Sequence, residues 1–181
     1  SIYTWNNGVT NAIAFTPTAS TTYTVTGTDA NGCVNTDQVV VAVNPLPVVS
    51  AGTDIAVCAG EPVILSGSGA STYTWDNGVS NGVAFIPTAT TTYTVTGTDA
   101  NSCMNTDQVI VTVNALPSVD AGADVTVCAG TPVTLSGSGA STYTWNNGAI
   151  NGVAFVPTAS TTYTVTGTDA NGCVNTDQVV V

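Results

Sequence analysis

Three observations predict an all-β chain made of tandem 70-residue β-sandwich repeats. The first is composition. Hydrophobic residues make up 43% of the 181 residues, enough for packed cores, while charged residues are only 6%. Thr and Val favour strands, Gly and Asn favour turns, and these four fill much of the chain. The second is the lack of any helical period or long apolar run. The third is internal repetition. Tyr-Thr-Trp recurs at 3–5, 73–75 and 143–145, always 70 residues apart. Cys33, Cys103 and Cys173 keep the same step, as do Cys58 and Cys128. Residues 71–111 and 141–181 align without a gap and differ at eight positions, and 17–41 and 157–181 are identical.

The repeat sets the domain boundaries. Residues 1–44 read as the C-terminal part of one repeat, 45–114 as a complete repeat, and 115–181 as a nearly complete third. Pro-bearing junctions separate them, Asn44-Pro45-Leu46-Pro47 and Asn114-Ala115-Leu116-Pro117. Seventy residues is too long for one solenoid coil and suits a small sandwich. In the third repeat a first strand is expected over 124–128 and a second over 132–138. A third follows over 141–145, closed by the Asn146-Asn147-Gly148 turn. Residues 152–155 read as a short strand, followed by a corner at Pro157-Thr158-Ala159-Ser160. Residues 162–169 and 173–181 read as a hairpin across Ala170-Asn171-Gly172.

Alternation predicts the core. Tyr143 and Trp145 share one face, with Thr142 and Thr144 on the other. Tyr163 and Val165 point inward, as do Val133 and Leu135, while Thr162, Thr164 and Thr166 point out. One inward tryptophan per repeat (Trp5, Trp75, Trp145), facing a Leu and a Val, is how an immunoglobulin-like sandwich fills its centre. Tyr23, Tyr93 and Tyr163 join that expected core. Tyr163-Thr164-Val165 falls where such domains carry a tyrosine corner. The usual inter-sheet cysteines would fall at Leu135 and Val165, so that bridge is absent.

Several segments together carry a family resemblance: Asp120-Ala121-Gly122 running to Cys128-Ala129-Gly130, Pro132-Val133-Thr134-Leu135, Tyr143-Thr144-Trp145, and Thr161-Thr162-Tyr163-Thr164-Val165 with Asp169-Ala170-Asn171-Gly172-Cys173. The chain resembles the immunoglobulin-like and PKD-like repeats of large secreted surface proteins of Bacteroidota, including gliding-motility adhesins. That resemblance implies export by the type IX route and attachment at the outer surface.

The five cysteines, recurring at fixed positions in a chain that looks secreted, read as disulfide partners. Two connectivities compete. Pairing within repeats gives Cys58–Cys103 and Cys128–Cys173, leaving Cys33 for a cysteine outside the 181 residues. The ends of a sandwich resist this, because strands of six or seven residues hold them roughly 20 Å apart. A disulfide needs Cα atoms about 4.4–6.8 Å apart. Pairing between neighbours gives Cys58–Cys173. Both schemes stand open at this level.

Acidic residues recur as well. Asp124, Asp169 and Asn171, with Asp54, Asp99 and Asn101 one repeat earlier, are expected at the upper end of each repeat. There they could supply hard oxygen ligands to Ca²⁺. The competing reading is that they make turns. No other cofactor is suggested. Outward Thr ladders read as solvated β surface or as acceptors of O-linked glycans. There is no Asn-x-Ser/Thr sequon.

Missing residue types exclude functions. There is no Lys, Arg or His, and 11 acidic residues leave a net charge of −11. Without basic residues there is no counterion-releasing surface for nucleic acid, and anionic membranes repel the chain, so no direct membrane insertion is expected. Ser-His and Cys-His pairs cannot form, and the single Glu, Glu61, lies in a turn. The expected function is therefore non-enzymatic. The chain reads as the structural or adhesive repeat region of an extracellular, cell-surface filament or adhesin stalk that self-associates into fibres. The alternative is a carbohydrate-binding or accessory module of a larger secreted protein.

Overall fold

The computed structural model describes residues 1–181 and contains fourteen strands and no helix. The first 44 residues supply β1 (Ile2–Trp5), β2 (Thr21–Thr28) and β3 (Val34–Val41), paired in that order. The middle repeat supplies β4 (Ile55–Cys58), β5 (Val63–Ile64), β6 (Thr72–Trp75), β7 (Ala84–Phe85), β8 (Thr91–Thr98) and β9 (Met104–Asn114). The third supplies β10 (Val133–Thr134), β11 (Thr142–Trp145), β12 (Ala154–Phe155), β13 (Thr162–Thr168) and β14 (Val174–Val180).

The middle repeat is an immunoglobulin-like sandwich. Its larger sheet has the order β4-β9-β8-β6, and its smaller layer is β5-β7. Neighbours are antiparallel except β4, which runs parallel to β9 with Ile55 opposite Val111 and Cys58 opposite Asn114. The third repeat repeats the plan as β11-β13-β14 and β10-β12. Its expected first strand does not form a ladder. One backbone–backbone bond to the last strand remains there, from the Val125 N–H to the Val180 carbonyl, where the middle repeat pairs Ile55–Cys58 along Val111–Asn114.

Each of these two repeats has its own core. Leu65, Val95, Val109 and Val111 are almost wholly buried in one, and Leu135, Val165 and Val179 in the other. The period-two pattern accounts for this: in Thr91–Thr98, Tyr93, Val95 and Gly97 face inward between threonines. Gly97 has a packing reason. A Cβ there would stand 2.6 Å from a Val49 methyl and 2.8 Å from Ala70, and Gly167 meets Val119 and Ala140 in the same way. The bare backbone lets the first segment of each repeat lie against the sheet. The bridges Ser50↔Ser68 and Asp120↔Ser138 then tie that segment to the smaller layer.

The tryptophans are not at the centre. Trp5, Trp75 and Trp145 are half-buried, and Trp75 and Trp145 pack on the rim of the Leu/Val cluster. The reason lies in their polar edge. Each indole Nε1–H donates to an asparagine six residues on: Trp75 to Asn81 and Trp145 to Asn151 at 3.0 Å, and Trp5 to Asn11 at 3.2 Å. The expected tyrosines do lie inward. Tyr23, Tyr93 and Tyr163 are buried, each against a phenylalanine ring 5.1–5.3 Å away.

The tyrosine corner belongs to a different residue than the sequence pattern suggested. Tyr143, not Tyr163, turns its hydroxyl back on the chain. It donates to the Ala140 carbonyl and accepts the Ala140 N–H, both at 2.6 Å, and Tyr73 does the same at Ala70.

Candidate junction site between repeats

The most distinctive chemistry lies where the middle repeat meets the third. Cys58 ends β4, and the neighbouring Ala59 N–H donates to the Asn114 carbonyl at 2.8 Å. Parallel pairing with the last four residues of β9 thus carries Cys58 to the end of its repeat that leads into the linker. Cys173 is presented by the hairpin turn of the third repeat. The Asp169 carboxylate accepts the N–H groups of Asn171 and Cys173, each at 2.8 Å, and Gly172 takes φ +82°. An Asx-type turn with a left-handed glycine fixes the Cys173 backbone before any sulfur chemistry.

Cys58 and Cys173 are joined by a disulfide, with Cα atoms 5.5 Å apart and 115 residues of separation. The within-repeat pairs Cys58–Cys103 and Cys128–Cys173 are not formed. Cys103 precedes β9 and Cys58 lies beside its last residue, so eleven strand residues separate them, or about 35 Å of extended chain. Cys173 is fully buried, Cys103 is half-buried, and Cys33 and Cys128 are exposed.

The six residues considered for calcium are not brought together. Asp54 accepts the Ile110 N–H and Asp124 the Val180 N–H, both at 2.8 Å, toward the far end of the last strand. Asp99 and Asp169, with Asn101 and Asn171, make the hairpin turn at its near end. Seven residues of strand separate Cys173 from Val180, about 20 Å. The expectation that both sets share the upper end is corrected by the short parallel register of the first strand. It begins level with Ile110 and Val111 rather than at the hairpin.

Three recurrent polar positions that fasten each repeat escaped the sequence reading. Asp107 Oδ2 accepts the Ala51 N–H at 2.9 Å and Asp177 Oδ2 the Ala121 N–H at 2.8 Å, pinning the first segment of each repeat to its last strand. These bonds, with a second from the following glutamine N–H, hold both carboxyls below the usual aspartate range. Asn105 and Asn175 donate side-chain N–H groups to the Pro47 and Pro117 carbonyls at 3.0 Å. Asn81 and Asn151 accept both the indole N–H and the N–H of Gly67 or Gly137, the latter at 2.7 Å. Their only sequence signal was recurrence at 70 residues, shared by dozens of purely structural positions.

No family model matches this chain, and no curated protein does. Among solved structures it is similar to the IG1 and IG2 domains of DIP-gamma, at 13% identity over 75% of this chain and 96% of that one, with a TM-score of 0.35. It is also similar to EC1-3 of mouse clustered PcdhgC3, at 11% identity over 90% and 75% of the two chains, with a TM-score of 0.35. The N-terminal eight Ig domains of Down Syndrome Cell Adhesion Molecule show 14% identity and a TM-score of 0.31, over 89% of this chain and 30% of that one. At these scores the likeness carries no argument about function.

Proposed function

We propose that this chain is a load-bearing stretch of an extracellular stalk or surface filament. Repeats of one geometry add length, and covalent staples between neighbours resist bending and pulling. The observation that carries this reading is the Cys58–Cys173 bridge, which links two repeats with separate hydrophobic cores. A disulfide within a repeat would stabilise that repeat alone; one between repeats restrains their relative orientation. Persistent disulfides belong to oxidising compartments, which supports a place outside the cell. The wholly anionic chain, with no basic residue, suits a solvated surface polymer better than a binder of nucleic acid. Resemblance to Bacteroidota surface repeats points the same way. Self-association into fibres and glycans on the outward threonines belong to this proposal.

The carbohydrate-binding alternative needs an open aromatic platform. The rim tryptophans instead spend their N–H groups on asparagine and pack on the core. The stalk reading is tested by negative-stain microscopy of the native material under oxidising conditions. Beaded rods with one bead per repeat are expected. Compact single particles would overturn it.

A further inference from the structure

The sequence holds seven Asn-Gly pairs. Glycine after asparagine has no Cβ to block its backbone nitrogen from reaching the side-chain amide carbon. The middle and third repeats each set this dipeptide in two bonding environments, four residues apart. Asn77-Gly78 and Asn147-Gly148 form the turn after the tryptophan strand, with both residues at positive φ. Asn81-Gly82 and Asn151-Gly152 receive the indole N–H. All four asparagines are exposed, so access to water does not separate them. Bonding separates them.

At Asn81 every group that such a reaction needs is occupied. Its Oδ1 accepts the Gly67 N–H at 2.7 Å and the Trp75 indole N–H at 3.0 Å, and the Gly82 N–H donates to the Leu65 carbonyl at 2.8 Å. Asn151 is held in the same way by Gly137, Trp145 and Leu135. Swinging the glycine nitrogen onto Cγ breaks three bonds together. Asn147 is loose by comparison. The Gly148 N–H has no acceptor, and a Cβ on Gly148 would meet nothing within 4 Å. Asn147 keeps one side-chain bond, from Nδ2 to the Thr162 carbonyl at 3.2 Å. One backbone bond closes the turn, from the Ala149 N–H to the Asn146 carbonyl at 3.2 Å. Asn77 shares this geometry, but its Nδ2 also donates to the Asp76 carboxylate at 3.2 Å. Asn171 is intermediate: its Gly172 N–H is spent on the Asp169 carbonyl at 3.2 Å.

The turn already accommodates a carboxylate. Asp76 stands where the other copies have Asn6 and Asn146, and all three side chains accept a strand N–H, from Thr94, Thr24 and Thr164, at 2.9 Å.

We propose that Asn147, and more slowly Asn77, are self-modification sites of the folded protein, where asparagine becomes aspartate or isoaspartate, while their bonds keep Asn81 and Asn151 intact. The Gly148 nitrogen, on losing its proton, attacks Asn147 Cγ. The N–Cγ bond forms, the Cγ–Nδ2 bond breaks, and the amide nitrogen leaves as ammonia, taking up a proton in place of the one lost. Water then opens the cyclic imide. Attack at Cγ gives aspartate; attack at the main-chain carbonyl gives isoaspartate. Asp76 slows the step at Asn77, because its charge opposes the anion that forms on the Gly78 nitrogen. Each event adds a negative charge to a chain with no Lys, Arg or His to neutralise it. The surface therefore grows more anionic with age, and like chains repel more strongly. This chemistry is independent of the stalk reading.

The test uses the whole, disulfide-intact protein, incubated in mildly alkaline buffer made with heavy-oxygen water and mapped with chymotrypsin. Isoaspartate is counted with an isoaspartyl methyltransferase. Asn147 is expected to take up label first, with Asn77 behind it. Asn81 and Asn151 should lag by roughly ten-fold or more, as bonds that must break together imply. In urea the four rates should draw together. Trp145→Phe removes one donor and should speed Asn151 relative to Asn147, which serves as the standard within the same repeat. Equal rates at Asn147 and Asn151 in the folded protein would overturn the proposal. So would a protein that takes up label only after unfolding.

Discussion

The carboxylate of Asp107 accepts the backbone N–H of Ala51 at 2.9 Å, across 56 residues of chain, and the pair Asp177 and Ala121 copies it in the next repeat. This bond holds the first segment of a sandwich to its last strand. It also lowers the carboxyl pKa, chiefly through that N–H and next through the N–H of the following glutamine. A depressed folded-state pKa contributes stability that is fully present above the unfolded value of about 3.9. The contribution is lost as pH falls through the lowered folded value. Urea midpoints measured from pH 6 downward should therefore fall on the acid side of about pH 4. The double variant D107N/D177N should show a shallower acid fall than the parent. Parallel curves would remove these carboxylates from the account.

Core and rim should respond differently to truncation. Leu65 is 1% and Leu135 3% exposed, and each belongs to the buried cluster of its repeat. Leu65→Ala or Leu135→Ala should cost its own repeat about 2–5 kcal/mol by chemical denaturation. Trp75→Phe should cost less, because the indole sits half-exposed at the rim. Acrylamide should quench Trp75 and Trp145 to an intermediate degree. A Trp75→Phe cost equal to that of Leu65→Ala would return the indole to the centre.

The Tyr143 hydroxyl closes a three-residue loop by serving both the N–H and the carbonyl of Ala140. Tyr143→Phe removes both bonds and leaves the ring in place. A loss of about 1–3 kcal/mol is expected in the third repeat. The middle repeat, with its own Tyr73 and Ala70, should melt unchanged. A variant that melts like the parent would show that water replaces the hydroxyl without cost.

Reduction of the Cys58–Cys173 bridge should separate two properties that one protein usually loses together. The two clusters share no residue, so near-UV circular dichroism should persist after reduction. The relative orientation of the repeats should loosen, and small-angle scattering should show a broadened distance distribution. C58S and C173S should each behave as the reduced protein does. Loss of near-UV signal on reduction would mean the bridge holds the folds themselves. Asp-specific cleavage under non-reducing conditions, needed because the chain offers trypsin no site, should yield one cross-linked pair, 58 with 173.

Much of the architecture was legible because it is local and repeated. A 70-residue step, alternating Thr with Tyr or Val, and Asn-Gly turns sufficed for an all-β sandwich and for the hairpin of Thr162–Thr168 with Val174–Val180. Tyr93, Tyr163 and Leu135 could be placed inward by alternation alone. What the pattern could not supply was position along the strand axis. Alternation assigns a side chain to a face, but not to the centre or the rim of that face. Hence Trp145 looked central until its bond to Asn151 was seen. The same gap hid the four-residue parallel register of Ile55–Cys58, which moves Asp54 away from Asp99 and sets Cys58 against the next repeat. Sequence by itself determined which residues face inward, since that follows from two-residue geometry. Tertiary structure alone decided which ends meet, since contacts between residues 115 apart depend on how strands slide past one another.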